Sequence, residues 1–477
     1  MAESLKKKTV KGVAWTFLDQ AANLGFGFVI GVILARLLSP SDYGLLAMIA
    51  VFNAIAFAFL DSGFCKALIR KPDLTEDDNC TAFYFNIVAG LVLYGIIWLI
   101  SPFVADFYDK PILSPLLRVE ALLLIISSFK IVQNTRLSRT LKFKAKAIID
   151  VSSNVLSGII GVVAAYCGFG VWSLVIVHIS GGIISLILLW ILSPWRPHGK
   201  WQKTSFRYLW GFGSKLLASN LLETIYGNIY PIIIGKLFSA ADLGQYTRAK
   251  GYARLPSQSL TGVLQKVTFP VLSQIQEDTT RLADSYRRML RFTAFVIFPI
   301  MIGMVALAYP LVITLVTDKW AQCVPYLQII CFASMWYPVH AINLNLLQVK
   351  GRSDLFLRLE IIKKIIATIA IICSVPFGII GICVGSVCTS IICLVINTYY
   401  TGKLINVGFF RQMKDLSPTL LLSLVMGGLV FIAVIPFESD LMKLLIGIPV
   451  GMAFYLMTAK LLRMPELKEA INIIKRK

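Results

Sequence analysis

Charged residues are scarce in this chain of 477 residues: they make up 15% of it, whereas hydrophobic residues make up 57%. The mean hydropathy is +0.76. So little charge excludes a water-soluble globular protein, whose surface needs far more of it. Apolar runs recur along the chain, each long enough to cross a bilayer. Because open sheets cannot span lipid and the alternating pattern of a barrel is missing, the sequence predicts an all-α integral membrane protein.

The chain is also poor in the residues that build catalytic and metal sites. It has three histidines, of which His178 and His340 lie in predicted spans and His198 in a loop. The nine cysteines form no CxxC pair, and most lie in apolar runs, where thiols pack as small hydrophobes. No phosphate-binding or dinucleotide-binding motif occurs, and no loop approaches domain size. We therefore expect no enzyme activity, no metal and no bound cofactor.

Fourteen segments are predicted to span the membrane. Lys and Arg concentrate in alternate loops, which places both termini in the cytoplasm by the positive-inside rule. The formal net charge of +21 then reflects topology rather than nucleic-acid binding. We expect Met1–Lys11 to lead into the first span, and Pro465–Lys477 to be either a surface helix or a solvated tail. The predicted spans are 11–36, 42–64, 80–105, 114–136, 146–167, 171–193, 206–236, 242–271, 290–312, 322–348, 357–377, 379–402, 416–436 and 441–462.

An internal repeat divides the chain. ILARLLSPSDYG at Ile33–Gly44 matches IIGKLFSAADLG at Ile233–Gly244, an offset of 200 residues. GFGVWSL at Gly168–Leu174 matches PFGIIGI at Pro376–Ile382, an offset of 208. The offset covers an even number of crossings, so the copies have the same orientation, as in transporters built from parallel repeats. We predict two six-helix lobes related by a pseudo-two-fold axis, over 1–200 and 201–405, followed by two C-terminal helices and a tail over 406–477.

Basic residues occupy the predicted eighth span, where charge is costly and is usually functional. Arg248, Lys250 and Arg254 lie there, whereas the matching positions of the first lobe hold Met48, Ala50 and Ala54. At 100° per residue, Lys250 and Arg254 lie on a polar face, while Arg248 lies off it and nearer the outer end. A cationic wall for an anionic substrate is the prediction, and a purely structural role is the alternative. The polar face comprises Tyr246, Lys250, Arg254, Ser257, Gln258, Thr261 and Gln265.

Two acidic residues lie on equivalent helices of the predicted lobes. The seventh span has a stripe that includes Lys215 and Glu223, and the first span has Asp19 beside Asn23. These acids are candidates for coupling transport to an ion gradient, with Na⁺ or H⁺ as the ion. The alternative is that Glu223 only neutralises Lys215 or Arg254 within the bundle.

The sequence resembles the Wzx-type flippases of the polysaccharide transporter family, in the multidrug/oligosaccharidyl-lipid/polysaccharide exporter superfamily, and especially the branch that includes colanic-acid exporters. The similarity extends over nearly the whole chain. The stretches that carry it are KGVAWTFLDQAANLGFGFVIGVILARLLSPSDYGLLAM (Lys11–Met48), RTLKFKAKAIIDV (Arg139–Val151), LGQYTRAKGYARLPSQSLTGVLQKVTFPVLSQIQED (Leu243–Asp278) and LLQVKGRSDL (Leu346–Leu355).

This resemblance implies a fourteen-helix fold that moves a lipid-linked oligosaccharide, carried on undecaprenyl pyrophosphate, across the bacterial inner membrane by alternating access. It implies that Arg248, Lys250 and Arg254 meet the pyrophosphate; Lys215 and Tyr246 are our further substrate-binding candidates. Expected partners are the lipid-linked glycan of lipopolysaccharide or capsule synthesis, membrane lipids, and the polymerase and glycosyltransferase machinery. The alternative is an exporter of small cationic drugs, whose site should be acidic rather than basic.

Overall fold

The computed structural model describes the backbone of residues 2–475, and their side chains except those of 2–14, 17, 263–264, 266–267, 353 and 473–475. It is 87% helical, and the described residues contain no strand. The predicted all-α class is therefore confirmed. Contacts between residues divide the chain into two compact units, Met1–Gly244 (unit 1) and Gln245–Lys477 (unit 2).

Unit 1 is built of eleven helices and the start of a twelfth. Two of its helices, α10 and α11, belong to the predicted second lobe, but α10 packs on α2, α3 and α4 of this unit. The lobe boundary at 200/201 comes from the sequence repeat alone and remains a prediction. The helices are α1 Ala2–Leu37, α2 Pro40–Asp61, α3 Phe64–Arg70, α4 Glu76–Phe107, α5 Leu113–Glu120, α6 Leu122–Ser128, α7 Ile131–Arg139, α8 Phe143–Tyr166, α9 Val171–Leu192, α10 Lys203–Gly227, α11 Ile229–Leu237 and α12 Ala240–Gln274.

The repeated motif begins a helix in the same way in both copies. Before α2, the backbone N–H of Ser39 donates to the Asp42 carboxylate (2.8 Å), and the N–H of Asp42 donates to Ser39 Oγ (3.3 Å). Before α12, Ser239 and Asp242 form the same reciprocal pair, at 3.2 and 3.1 Å. Such a capping box satisfies two otherwise unpaired N–H groups at the first turn of a helix.

The two helix starts touch each other at a pair of glycines. A Cβ atom added to Gly44 would lie 1.7 Å from the carbonyl oxygen of Ala240, and one added to Gly244 would lie 1.8 Å from that of Pro40. The contact is reciprocal, because Gly44 and Pro40 correspond to Gly244 and Ala240 at the 200-residue offset. Glycine is required on both sides because the atoms that approach it belong to backbone, which no rotamer change can move.

Unit 2 contains the rest of α12, followed by nine further helices. A bidentate ion pair joins two of them: Arg287 Nε and Nη2 donate to Asp415 at 2.6 and 2.7 Å. The tail forms a helix whose Glu466 faces Arg291, and its place on the membrane surface stays a prediction. These helices are α13 Thr279–Ala306, α14 Ala308–Val316, α15 Cys323–Ser334, α16 Tyr337–Val349, α17 Ser353–Ser374, α18 Gly378–Ile405, α19 Phe409–Val434, α20 Asp440–Leu461 and α21 Pro465–Lys475.

Nine helices of the described chain are long and apolar enough to cross a membrane. Four further predicted spans coincide with helices that are interrupted or polar: 114–136 is divided among α5, α6 and α7, 206–236 between α10 and α11, and 322–348 between α15 and α16, while 242–271 is the charged α12. One of the nine apolar helical segments, Asp354–Ile405, contains α18 and all but the first residue of α17. A multi-pass membrane protein is thus established, and the count of fourteen spans remains a prediction.

Candidate functional site

The predicted cationic wall lies on α12, which continues to Gln274 although it contains Pro256 and Pro270. Prolines are tolerated in membrane helices because neighbouring groups satisfy the carbonyls that they free. One face packs inside unit 2: Ala249 and Ala253 are fully buried, and Tyr252 is 5% exposed. Helical periodicity predicts this burial, because these three residues fall outside the polar face.

The polar face of α12 is divided between exposed and buried side chains. Arg254, Gln258 and Gln265 are exposed, whereas Ser257 and Thr261 are buried. The two buried hydroxyls donate to carbonyls one turn earlier in the same helix, at 3.3 and 2.5 Å, which satisfies them without water. The predicted polar face is therefore wider than the exposed part of the helix, because a helical wheel cannot show which edge a neighbouring helix covers.

Lys250 and Arg254 lie one turn apart at the edge of this exposed strip. The Lys250 ammonium is half-buried, 5.6 Å from the centroid of the Tyr246 ring. The Arg254 side chain is exposed. Tyr246 itself is 4% exposed, so it acts as a platform for the ammonium. A ligand on this strip would meet one point charge and one planar guanidinium, a combination suited to phosphate oxygens.

Arg248 is placed differently, as its position off the polar face predicts. Its guanidinium lies over two aromatic rings, 5.6 Å from the centroid of Tyr252 and 5.1 Å from that of the fully buried Trp320. One turn earlier, Gln245 Nε2 donates to the carbonyl of Lys319 (2.7 Å). These contacts fix the start of α12 to the turn before α15, so Arg248 contributes to packing within unit 2.

In unit 1, Lys215 and Glu223 are both exposed on α10. The ion pairs between described residues include none that joins them to each other. The role of Glu223, in ion coupling or in neutralising Lys215 or Arg254, stays a prediction. The helix ends four residues after Glu223, at Gly227, and α11 begins after Asn228, whose amide donates to the Thr224 carbonyl (2.8 Å).

Asp19 lies in a chain of polar side chains that the sequence shows only in part. Asn23 Nδ2 donates to Asp19 Oδ1 (2.6 Å), and Asn154 Nδ2 of α8 donates to the side-chain oxygen Oδ1 of Asn23. Asp150 lies one turn before Asn154 on α8. The first and fifth predicted spans thus share a group of amide and carboxylate oxygens, the ligand type that hard cations prefer.

An apolar groove in unit 2 was not predicted. It has a volume of about 480 Å³ and lies among α13, α19 and α20. Its lining is almost entirely apolar, and a hydropathy profile cannot distinguish such residues from those that face bulk lipid. The lining includes Pro299, Gly303, Met426, Gly451, Met452 and Tyr455.

The architecture matches that of a membrane protein of known structure. The structure titled "Lipid II flippase MurJ, inward closed conformation" aligns with 95% of this chain and 99% of its own, with a TM-score of 0.74 and 14% identity. Identity this low shows a shared fold only. The long apolar helices and this fold define a multi-pass membrane protein that shares the fold of that structure.

The chain belongs to the polysaccharide biosynthesis protein family, whose model matches residues 33–325. It is 24% identical to the lipopolysaccharide biosynthesis protein WzxC of Escherichia coli K12, over 86% of this chain and 84% of WzxC. It is 25% identical to the succinoglycan biosynthesis transport protein ExoT of Rhizobium meliloti, over 70% of this chain and 68% of ExoT. The resemblance to Wzx-type polysaccharide transporters is confirmed, and the multidrug-exporter alternative is less well supported.

Proposed function

We propose that this protein moves a lipid-linked oligosaccharide from the inner to the outer leaflet of the bacterial cytoplasmic membrane, with both termini in the cytoplasm. The observation that carries the proposal is the exposed cationic strip of α12, formed by Arg254 and the half-buried Lys250. Cations at membrane depth are costly unless a ligand or water meets them. The pyrophosphate of an undecaprenyl carrier is an anion that both residues can bind.

The resemblance to known transporters supplies the rest of the proposed cycle. Two lobes alternate access to a binding site, and an ion gradient supplies the energy, with Asp19 and Glu223 as the coupling candidates named from the sequence. The proposed substrate-binding set also includes Arg248, Lys215 and Tyr246. Arg248 and Tyr246 contribute to it indirectly, because their packing holds α12 in place. Polymerases and glycosyltransferases of the same polysaccharide pathway are the proposed partners.

Deleting the gene is expected to interrupt polysaccharide synthesis at the membrane step. Lipid-linked oligosaccharide should accumulate at least tenfold in the deletion strain and return to its normal level when the gene is restored. Mass spectrometry of extracted lipids measures the accumulation and identifies the glycan. If no lipid-linked saccharide accumulates while surface polysaccharide is lost, the substrate is not lipid-linked and the proposed function is wrong.

The groove in unit 2 fits the apolar part of such a substrate. Lipid tails are as apolar as the lining of the groove, so a polyprenyl chain gains affinity there from close packing against a fixed shape rather than from leaving water. Water-filled binding sites need polar lining, which this groove does not provide. We therefore assign the groove among α13, α19 and α20 to the polyprenyl tail.

Filling this groove is expected to slow transport without unfolding the protein. Gly303 lines the groove, and a Cβ added there would meet only the terminal methyl of Met426, at 3.8 Å. Gly303→Leu should reduce surface polysaccharide by about fivefold at unchanged protein abundance. The matched control is Gly428→Leu on α19. A Cβ added there meets nothing within 4 Å, and Gly428 does not line this groove. Equal export by the two variants would exclude the groove from the pathway.

A further inference from the structure

A carboxylate and an imidazole meet inside unit 1. His178 Nδ1 of α9 lies 2.6 Å from Glu120 Oε1 at the end of α5, a distance that requires a proton between the two atoms. The Glu120 side chain is 7% exposed. Its second oxygen, Oε2, is buried and has no hydrogen-bond partner among the described residues. A buried carboxylate oxygen without a partner is costly, and binding a proton there relieves the cost.

The pair lies at a break in a helix and, by the predicted spans, at membrane depth. Glu120 is the last residue of α5, and α6 begins at Leu122, although both belong to the predicted span 114–136. Counted from the predicted outer ends of their spans, Glu120 and His178 are both roughly 10 Å deep. Interrupted membrane helices are typical of ion sites in transporters, because the break frees polar groups where the ion binds.

Only one member of the pair is accessible. The His178 side chain is 46% exposed, compared with 7% for Glu120. On the helical wheel, His178 lies about 140° to 180° away from Ile183, Ile187 and Ile191, which form the exposed apolar stripe of α9. The imidazole is therefore open on a face other than the one suited to lipid. It can accept a proton from outside the core and pass it to a carboxylate that is closed off.

The other charged residue of α5 is engaged elsewhere. Arg118, two residues before Glu120, lies about 160° away around α5; it donates to Ser101 Oγ (2.7 Å) and covers the ring of Trp98. The helices that pack against α5 and α9 are α2, α4, α6, α7 and α8. In the outer halves of these helices, the titratable groups are Asp42 and Tyr43 on α2, Tyr94 and Asp106 on α4, and Tyr166 on α8.

We propose that Glu120 and His178 form the proton-binding site that couples transport to the proton gradient, an inference that rests on the proposed transport function. In the resting pair, one proton is shared between Nδ1 and Oε1. A second proton enters through the imidazole and ends on the carboxyl group, so the pair gains one positive charge. Release of the second proton on the opposite side of the membrane restores the resting pair. Because the two states differ by a full charge at membrane depth, each favours a different conformation.

The pair itself can be tested without any substrate. The chain has three histidines, so protein labelled with ¹⁵N only in histidine, in lipid nanodiscs, gives three imidazole spin systems. His178→Asn identifies the one that belongs to the pair. We expect Glu120→Gln to move the His178 resonances and to leave those of His198 and His340 in place. Identical spectra for Glu120→Gln and the wild type would show that the pair does not form, and the proposal would be wrong.

Coupling is tested in proteoliposomes that contain lipid-linked saccharide extracted from the deletion strain. With an imposed pH gradient, Glu120→Gln and His178→Asn should each lower the rate of gradient-driven translocation at least tenfold. Without a gradient, both should still equilibrate the saccharide within twofold of the wild-type rate, which a misfolded variant cannot do. Glu120→Asp should recover part of the driven rate, and His198→Asn, in an exposed loop, should match the wild type.

Three results overturn parts of this scheme, and they can be told apart. If the wild type moves no saccharide under any condition, the proposed function fails, and the coupling role fails with it. If the wild type is driven by the pH gradient and Glu120→Gln is driven equally well, only the Glu120–His178 site is excluded. If Asp19→Asn or Glu223→Gln abolishes the response to the pH gradient while Glu120→Gln retains it, those acids are the coupling groups instead.

Discussion

Replacing Lys250 and Arg254 together by alanine is expected to reduce surface polysaccharide at least tenfold, at unchanged abundance of the protein in the membrane. Each hydrogen bond to a charged group contributes about 1.5–3 kcal/mol, and 1.4 kcal/mol is a factor of ten in affinity. Two such contacts to a pyrophosphate therefore exceed the stated effect. Arg254 is exposed and Lys250 is half-buried on a tyrosine ring, so neither side chain is needed to hold the core together.

Two control variants separate charge from position. Lys250→Arg with Arg254→Lys keeps both charges and should recover most of the export, with a remaining deficit if Arg254 binds two oxygens at once. Lys200→Ala with Lys203→Ala removes two exposed charges, one in the loop before α10 and one at the first residue of α10. This double variant should change export by less than twofold. Normal surface polysaccharide in the Lys250→Ala, Arg254→Ala double variant would exclude the cationic strip as a binding surface.

Removing Asp415 is expected to be the most destabilising single change considered for unit 2. Asp415 is 9% exposed and accepts both bonds from Arg287 of α13, whose side chain is 24% exposed. Asp415→Leu leaves this arginine without its partner, and breaking a buried pair in this way costs about 3–5 kcal/mol. We place the effect near the lower limit, at about 3 kcal/mol, because water still reaches part of Arg287. Tryptophan fluorescence during unfolding in mixed micelles measures it.

A second substitution tells a lost ion pair from lost packing. Asp415→Leu combined with Arg287→Met removes both charges and should recover most of the stability, since an apolar pair of similar volume is tolerated. The matched control is Asp354→Leu, which breaks the exposed pair with Arg352, where the side chains are 63% and 47% exposed; it should leave stability almost unchanged. A double variant that is no more stable than Asp415→Leu alone would show that the aspartate acts through packing.

Much of the fold follows from the sequence because its determinants are local. Long apolar runs specify helices that span the membrane, and the all-α class is confirmed. The capping residues Ser39 and Ser239 start helices at the points where the repeat predicts them. The breaks within predicted spans are not visible in a hydropathy profile. A single residue such as Ala121 or Asn228 leaves the average hydropathy unchanged, although it ends one helix before the next begins.

The candidate site could be predicted along α12 but not around it. Helical periodicity places Lys250 and Arg254 on one face and Ala249 and Ala253 on the other, and the structure buries the latter two. Which polar residues a neighbour covers depends on tertiary packing, so the burial of Ser257 was missed. Glu120 was missed as well: an acid within a predicted span is a signal in itself, but its partner is 58 residues away.

The reciprocal contact at Gly44 and Gly244 has a consequence for genetics. The atom nearest to a Cβ at either glycine is a backbone carbonyl oxygen of the other repeat, and a Cβ at Gly244 would also lie 3.2 Å from the backbone nitrogen of Gly44. A side chain introduced at one of them therefore cannot be accommodated by any change at the other, although the two positions correspond in the duplicated sequence. Suppressors of a defective Gly44 allele should consequently map away from Gly244, and recombining the two copies of the repeat should preserve function only when both glycines are kept.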